Sequence, residues 1–161
     1  KEEEFIDTFL GGATNFIGVA IVVAVAKGIQ VVMNDGAITA TILHFGEQGL
    51  ENVSSSLFAV LVYLFYIPMS FLIPSTSGLA AATMGIIGPM GEFSGVAKDV
   101  IITAYQAASG WANLITPTSA IVMGAVTIAH TDLRVWFKFV GKFVVIIFIV
   151  TMIYLAVLAI L

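Results

Sequence analysis

Two short hydroxyl-rich segments interrupt long apolar stretches of the 161-residue chain. Residues 74–78 read Pro-Ser-Thr-Ser-Gly, and residues 116–120 read Thr-Pro-Thr-Ser-Ala. Each segment combines a proline with Thr-Ser and a small residue, in the middle of a run without charged side chains. Because proline interrupts the hydrogen bonds of a helix, both segments predict a helix break, and a break frees backbone groups that can bind a ligand.

The two kinds of helix end at such a break bind different ions. N-terminal ends present free N–H groups and a positive dipole, which suit an anion, and here they begin near Ser77 and Thr118. C-terminal ends present carbonyl oxygens, which suit Na⁺, and they lie near Ile73 and Ile115. We predict no catalytic residue, and no metal ligand beyond those two carbonyls for sodium. The residues expected to bind substrate or ion are Ser75, Thr76, Ser77, Gly78, Asn113, Thr116, Pro117, Thr118 and Ser119.

A polar helix face precedes the second break. Gln106, Ser109, Gly110 and Asn113 follow the i, i+3, i+4, i+7 spacing of one face. Such a face either lines the site or makes hydrogen bonds between packed helices, and both interpretations stay open. Asn113 is the stronger candidate ligand because it lies one turn from the break.

Two interpretations of the breaks involve no ligand. They are either surface loops capped by Ser and Thr, or kinks within membrane helices. The apolar flanks argue against surface loops, because water-exposed loops are seldom surrounded by such long apolar runs. Proline and hydroxyl residues are common enough in membrane helices that simple kinks stay an alternative.

The composition indicates an integral membrane protein. Hydrophobic residues make up 60% of the chain, charged residues 10%, and the mean hydropathy is +1.09. Soluble domains carry about 25% charged residues. The net charge of −4 excludes a strongly basic nucleic-acid binder, and the absence of cysteine excludes a disulfide scaffold.

Residues 52–91 and 100–129 contain no Asp, Glu, Lys or Arg. Proton-coupled carriers need a titratable group inside the membrane, so this absence favours sodium coupling or exchange. The sequence also has no Gly-rich phosphate loop, no Ser-His-Asp set and no HExxH motif. We therefore predict no enzyme.

The predicted fold is one all-α membrane domain over residues 1–161. Its elements are a helix at 5–33, a short helix at 37–45, a re-entrant hairpin at 54–92 with its tip at 73–78, a broken helix at 98–129 with its break at 114–119, and a final span at 143–161. The second arm of the hairpin, residues 79–90, rises only about 18 Å. That length is too short to cross a bilayer, so the hairpin is predicted to be re-entrant.

The positive charges predict the orientation. His130, Arg134, Lys138 and Lys142 lie in the only basic loop, 130–142, which we therefore expect in the cytoplasm. The final span then runs outward, the broken helix runs inward, and the hairpin enters from outside. We expect the inner membrane of a bacterium as the location.

The stretch Phe71-Leu-Ile-Pro-Ser-Thr-Ser-Gly-Leu-Ala-Ala-Ala-Thr-Met84, followed by Asn113-Leu-Ile-Thr-Pro-Thr-Ser119, resembles the C4-dicarboxylate anaerobic carrier family. The residues at 28–33 resemble its branch named for basic amino acid antiport. The resemblance implies the ion transporter superfamily, with two inverted repeats that each contain a re-entrant hairpin and a broken helix. This chain is similar to the C-terminal repeat. Ser75–Ser77 match the hairpin tip, and Thr116–Thr118 match the loop of the broken helix.

Two positions depart from the family pattern. Family members often carry an acidic residue where Ser109 stands and a proline where Gly85 stands. The acidic residue bears on coupling and on the binding of a cationic substrate.

These observations predict a secondary active transporter, or its C-terminal half, for a small organic anion or amino acid. Transport would be ion-coupled or by exchange, through alternating access. The alternative is a non-transporting membrane scaffold or assembly subunit. We expect a small-molecule substrate, membrane lipid, and either a missing N-terminal repeat or a second copy as partners. We expect no nucleic acid and no cofactor, with sodium as the candidate ion.

Overall fold

The computed structural model describes residues 2–50, 53–73 and 75–161. Within those ranges every regular element is a helix, which confirms the all-α prediction. The helices are α1 (Glu2–Asn15), α2 (Ile17–Asp35), α3 (Ile38–Leu50), α4 (Ser55–Leu72), α5 (Thr76–Phe93), α6 (Lys98–Ile115), α7 (Ala120–Ile128) and α8 (Leu133–Leu158).

Three stretches of the described residues are long and apolar enough to cross a membrane. They are Ser55–Leu72, Lys98–Ile128 and Leu133–Leu158. Their lengths of 18, 31 and 26 residues compare with the roughly 20 residues that a bilayer requires.

The N-terminal helices differ from the prediction. The single helix predicted over residues 5–33 is two helices, α1 and α2, which meet at Phe16. No proline marks this junction, but a Cβ built at Gly124 would lie 3.2 Å from the ring of Phe16, so tertiary packing accompanies the interruption. The short helix predicted at 37–45 extends from Ile38 to Leu50.

Two further helices are longer than predicted. The second hairpin arm, expected at 79–90, is the 18-residue α5, which starts directly after the capping residue Ser75 and continues through Pro89. Its rise is about 27 Å, longer than the 18 Å expected, but α5 is not among the three stretches that are long and apolar enough to cross a membrane. Re-entrance of the hairpin stays a prediction. The final helix begins at Leu133, not at 143, because the side chain of Asp132 caps it by accepting a 2.7 Å hydrogen bond from the Arg134 N–H. Most of the predicted basic loop is therefore helical.

The contacts at the base of the hairpin fix its relation to α6. Ser55 at the start of α4 donates a 2.8 Å hydrogen bond from its hydroxyl to the carbonyl of Ser94, directly after α5. Near the end of α5, a Cβ at Gly91 would lie 2.0 Å from Cδ1 of Ile101 and 3.2 Å from Cε1 of Phe58. The start of α4, the end of α5 and the start of α6 therefore meet at this base.

The opposite ends of α4 and α6 also lie side by side. A cleft of about 340 Å³ is lined by the last turns of both helices, including Phe71, Leu72, Ala112 and Ile115. Consequently α4 and α6 run parallel, and α5 runs antiparallel to both. The core between these helices is formed by buried side chains, among them Phe58, Val62, Tyr66, Leu79, Ile101, Ala104 and Ala108.

Helix α8 packs antiparallel to α4 and α6. Its end lies at the base, where Ser56 donates a 2.8 Å hydrogen bond from its hydroxyl to the carbonyl of Ala156. Its first turn lies beside the end of α6, where Trp136 contacts Leu114. These relative directions agree with the predicted ones, while the side of the membrane on which each end lies stays a prediction.

Candidate functional site

The first break follows α4. Ile73 donates its N–H to the carbonyl of Met69 at 2.8 Å, and its own backbone is non-helical at φ −116° and ψ 85°. A residue before a proline avoids the helical region, and Pro74, which lies outside the described residues, follows in the sequence. Ser75 then caps α5 by accepting a 3.2 Å hydrogen bond at its Oγ from the N–H of Gly78.

The capping residue and the first turn of α5 together contain four predicted site residues. Thr76 and Ser77 are exposed, while Ser75 and Gly78 are half-buried. The hydroxyl of Ser75 is engaged in the cap, so the hydroxyls of Thr76 and Ser77 are the accessible polar groups of this helix terminus.

The second break follows α6 for the same backbone reason. Thr116 precedes Pro117 and is extended, at φ −85° and ψ 130°. Pro117 has no N–H, so it cannot donate to the carbonyl of Asn113, four residues earlier, as a helix requires. The helix therefore ends at Ile115.

Thr116 organises the turn between α6 and α7. Its Oγ1 lies 2.7 Å from the Oγ1 of Thr118 and accepts a 3.3 Å hydrogen bond from the N–H of the same residue. Its carbonyl accepts a 3.2 Å hydrogen bond from the N–H of Ser119. Because the Thr116 side chain is fully buried, these bonds hold the turn from inside.

The remaining residues of the break differ in accessibility. Ser119 is buried, Thr118 is half-buried, and Pro117 is exposed. Asn113 is half-buried, and its side chain makes no hydrogen bond to another described residue. Thr118 and Asn113 are therefore the polar side chains that a ligand can reach, whereas Thr116 and Ser119 support the turn.

The carbonyl groups freed by the breaks differ in whether they accept a hydrogen bond. Leu114 accepts a 3.0 Å hydrogen bond at its carbonyl from Nε1 of Trp136 in α8. The carbonyls of Ile73 and Ile115, the predicted sodium ligands, accept no hydrogen bond from any described residue. Among all residues that the structure describes, no group of three or more His, Asp or Glu side chains could hold a metal ion.

The hairpin tip and the break lie at the same end of the α4–α6 pair, but they do not contact each other through described polar groups. Tyr105 of α6 donates a hydrogen bond from its hydroxyl to the carbonyl of Thr76. No hydrogen bond joins the described tip residues, 73 and 75–78, to the break at 114–119. The cleft between the helix ends is apolar, and Ile115 is the predicted site residue among those that line it.

The polar face predicted on α6 divides into two parts. Ser109 is buried, with 4% of its surface exposed, so it belongs to the packed side of the helix. Gln106 and Gly110 are exposed, and they lie on the accessible side with Asn113. The packing interpretation therefore applies to Ser109, whereas lining of the site by the exposed members of this face stays a prediction.

Sequence reasoning did not assign a site role to Tyr105 or to Trp136. Each is an aromatic side chain whose polar atom bonds a carbonyl beside a helix break. The pattern of aromatic residues gave no signal for this, because the contacts join segments 22 and 29 residues apart in the sequence. The sequence pattern also gave no role to the buried hydroxyl of Ser70, which lies in the last turn of α4 and has no partner among the described residues.

Comparisons with known proteins identify relatives of this chain. An uncharacterized protein of Haemophilus influenzae is 26% identical over 140 residues, which cover 87% of this chain and 27% of that protein. YfcC of Escherichia coli, provisionally named a basic amino acid antiporter, is 32% identical over 136 residues, which cover 81% of this chain and 27% of YfcC. The chain thus spans about a quarter of the length of these curated relatives. No solved structure matches it.

The family comparison covers nearly the whole sequence. Residues 1–160 match the family described as C4-dicarboxylate anaerobic carrier. Its name describes carriers, not enzymes, and the three long apolar stretches agree with a membrane protein. Together with the two helix breaks, this match shows that the chain belongs to the C4-dicarboxylate anaerobic carrier family.

Proposed function

We propose that the chain forms part of a secondary carrier and binds a carboxylate-bearing substrate between the hairpin tip and the break of α6–α7. The observation that carries this proposal is the parallel arrangement of α4 and α6. Their last residues, Leu72 and Ile115, line the same cleft. Backbone groups freed by the two breaks are thereby gathered at one end of the helix pair. Membership of a carrier family supports transport as the activity.

The substrate carboxylate is proposed to bind at the N-terminal turn of α5. That turn offers backbone N–H groups, the positive end of the helix dipole, and the exposed hydroxyls of Thr76 and Ser77. Across the site, the Thr118 hydroxyl and the amide of Asn113 would bind the remaining polar groups of the substrate. Thr116 and Ser119 support the turn, and Pro117 interrupts the helix.

Sodium is the proposed coupling ion where transport is ion-coupled. The carbonyls of Ile73 and Ile115 accept no hydrogen bond from the described residues, and hard cations prefer such oxygen ligands. No Asp, Glu, His, Lys or Arg lies in 52–91 or 100–129, which disfavours a proton relay within these segments. Sodium symport and substrate exchange are both compatible with this arrangement.

Two substrate classes share the chemistry of this site. The family description refers to C4 dicarboxylates, and the name of YfcC refers to basic amino acids. Both compounds carry a carboxylate. No acidic side chain is among the proposed ligands, and Ser109 is buried, so no charged side chain at the site would pair with a cationic group of the substrate. We therefore propose a small organic anion in preference to a basic amino acid.

The wider assembly is proposed from the same family relationship. The remaining part of the carrier would supply an inverted repeat with a second hairpin and broken helix, and alternating access would occur between the two repeats. The hairpin is proposed to be re-entrant within the bacterial inner membrane. A second copy of the chain is the alternative partner.

Uptake by the complete carrier in proteoliposomes tests this function. Labelled succinate and labelled arginine are supplied separately, with and without an inward sodium gradient. Uptake of succinate that exceeds uptake of arginine supports the proposal, and stimulation by the gradient supports sodium coupling. A correctly assembled carrier that takes up neither compound, with or without internal exchange substrate, would contradict it and favour a membrane scaffold.

A further inference from the structure

We infer that Tyr105 is a positioning residue that fixes the N-terminal turn of α5 against α6. Its hydroxyl donates a hydrogen bond to the carbonyl of Thr76, the first residue of α5. Tyr105 is itself buried, with 2% of its surface exposed. The bond therefore connects the hairpin tip to the helix that ends at the second break. The consequence for substrate binding rests on the proposed function.

A second tyrosine provides an internal comparison. The hydroxyl of Tyr66 lies 2.8 Å from Oγ1 of Thr83, which donates a 2.7 Å hydrogen bond to the carbonyl of Leu79. Tyr66 belongs to α4 and Thr83 to α5, so this bond joins the two arms of the hairpin to each other. The bond of Tyr105, in contrast, joins the hairpin to α6.

The two tyrosines pack against each other, which separates the role of the ring from that of the hydroxyl. Their ring centroids are 4.9 Å apart in an edge-on arrangement. Replacement of either residue by Phe keeps this ring contact and removes one hydroxyl. Tyr105→Phe thus removes the hydrogen bond between the start of α5 and α6, whereas Tyr66→Phe removes only a hydrogen bond within the hairpin.

The position of Tyr105 explains why its hydroxyl matters for the site. Thr76 begins the turn that would bind the carboxylate, and α6 carries Asn113 and leads into the break. The bond to Thr76 therefore sets the separation between the two groups of proposed ligands. Without the hydroxyl, the packed rings remain, but the start of α5 loses one of the contacts that hold it against α6.

A cysteine reporter tests this inference independently of transport. The chain has no native cysteine, and Ser77 is exposed, so Ser77→Cys in an otherwise cysteine-free complete carrier supplies one labelling site at the tip. We measure its reaction rate with a water-soluble maleimide in membranes. Tyr105→Phe should raise the rate roughly threefold to tenfold, the effect of losing one buried hydrogen bond on a local equilibrium. Tyr66→Phe should leave the rate unchanged.

A second measurement covers the case in which the reporter perturbs the tip. Deuterium exchange of the amides at 76–79, without any cysteine, should accelerate in Tyr105→Phe and not in Tyr66→Phe. An unchanged exchange and labelling rate in Tyr105→Phe, or an equal increase in both variants, would overturn the inference.

The succinate uptake assay distinguishes this inference from the proposed function. A higher KM with an unchanged maximal rate in Tyr105→Phe is expected if the fixed tip binds substrate. Faster labelling and amide exchange at the tip of Tyr105→Phe, in a carrier that transports neither succinate nor arginine, would support the positioning role and contradict the proposed function.

Discussion

Nε1 of Trp136 donates a 3.0 Å hydrogen bond to the carbonyl of Leu114 in the last turn of α6. In a continuous helix that carbonyl would accept from the N–H of Thr118, but this N–H bonds instead to the hydroxyl of Thr116. The first turn of α8 therefore satisfies a backbone group that the break releases. Since unsatisfied carbonyls are costly in a membrane, Trp136 is part of what makes the break tolerable.

Replacement of Trp136 by Phe should destabilise the protein by about 1–3 kcal/mol, because the Leu114 carbonyl loses its partner. The measurement is thermal unfolding of the complete carrier in detergent. Trp111→Phe is the matched control, because Nε1 of Trp111 bonds the carbonyl of Val144, which lies within α8 and keeps its helical partner. Equal losses of thermal stability in Trp136→Phe and Trp111→Phe would contradict the role given to Trp136.

The base of the hairpin should tolerate no side chain at Gly91. A Cβ there would lie 2.0 Å from Cδ1 of Ile101, and Ile101 and Phe58 are both buried. Gly91→Ala should therefore destabilise the carrier by about 1–3 kcal/mol through overpacking. Gly85→Ala, earlier in the same helix with nothing within 4 Å, should be neutral or stabilise α5 by up to about 1 kcal/mol. Equal thermal stability of the two variants would contradict this packing.

Removal of the Thr118 hydroxyl should weaken substrate binding by about 1–3 kcal/mol, the usual effect of a lost buried hydrogen bond. The measurement is succinate binding to the complete carrier with Thr118→Val. Thr127→Val is the control, because the Thr127 hydroxyl donates to the Met123 carbonyl within α7. An unchanged affinity in Thr118→Val, or an equal loss in both variants, would remove Thr118 from the proposed ligands.

The orientation of α8 can be tested at its two ends. Thr131 precedes the helix, Leu161 follows it, and both are exposed. The clustered basic residues predict that a cysteine replacing Thr131 reacts from the cytoplasm, and that one replacing Leu161 reacts from outside. Labelling of the Thr131→Cys variant by an impermeant reagent added to intact cells would reverse the predicted topology.

The breaks were predictable from sequence because their cause is local. Ile73 and Thr116 each precede a proline, and both leave the helical conformation. The division of the first helix at Phe16 was not predictable, because no proline marks it and its packing partner, Gly124, lies over 100 residues away in the chain. The early start of α8 was missed because its basic residues were interpreted as a loop, although Asp132 is a typical helix cap.

The candidate site was predictable in part for the same reason. Hydroxyl residues beside the two prolines indicated which segments to consider, but not which side chains are accessible. The burial of Thr116 and Ser109 depends on how α6 packs against its neighbours. The contact of Tyr105 with Thr76 depends on where α5 lies relative to α6. Such contacts between distant segments leave no periodic pattern in a single sequence.

Substrate protection of two cysteines tests the central claim most directly. Ser77→Cys and Thr118→Cys are introduced separately into the complete carrier, and their labelling by a water-soluble maleimide is measured with increasing succinate. If the hairpin tip and the break contribute to one site, succinate should slow labelling at both positions with the same half-maximal concentration. Protection of one position alone, or of neither while succinate transport continues, would contradict a shared site.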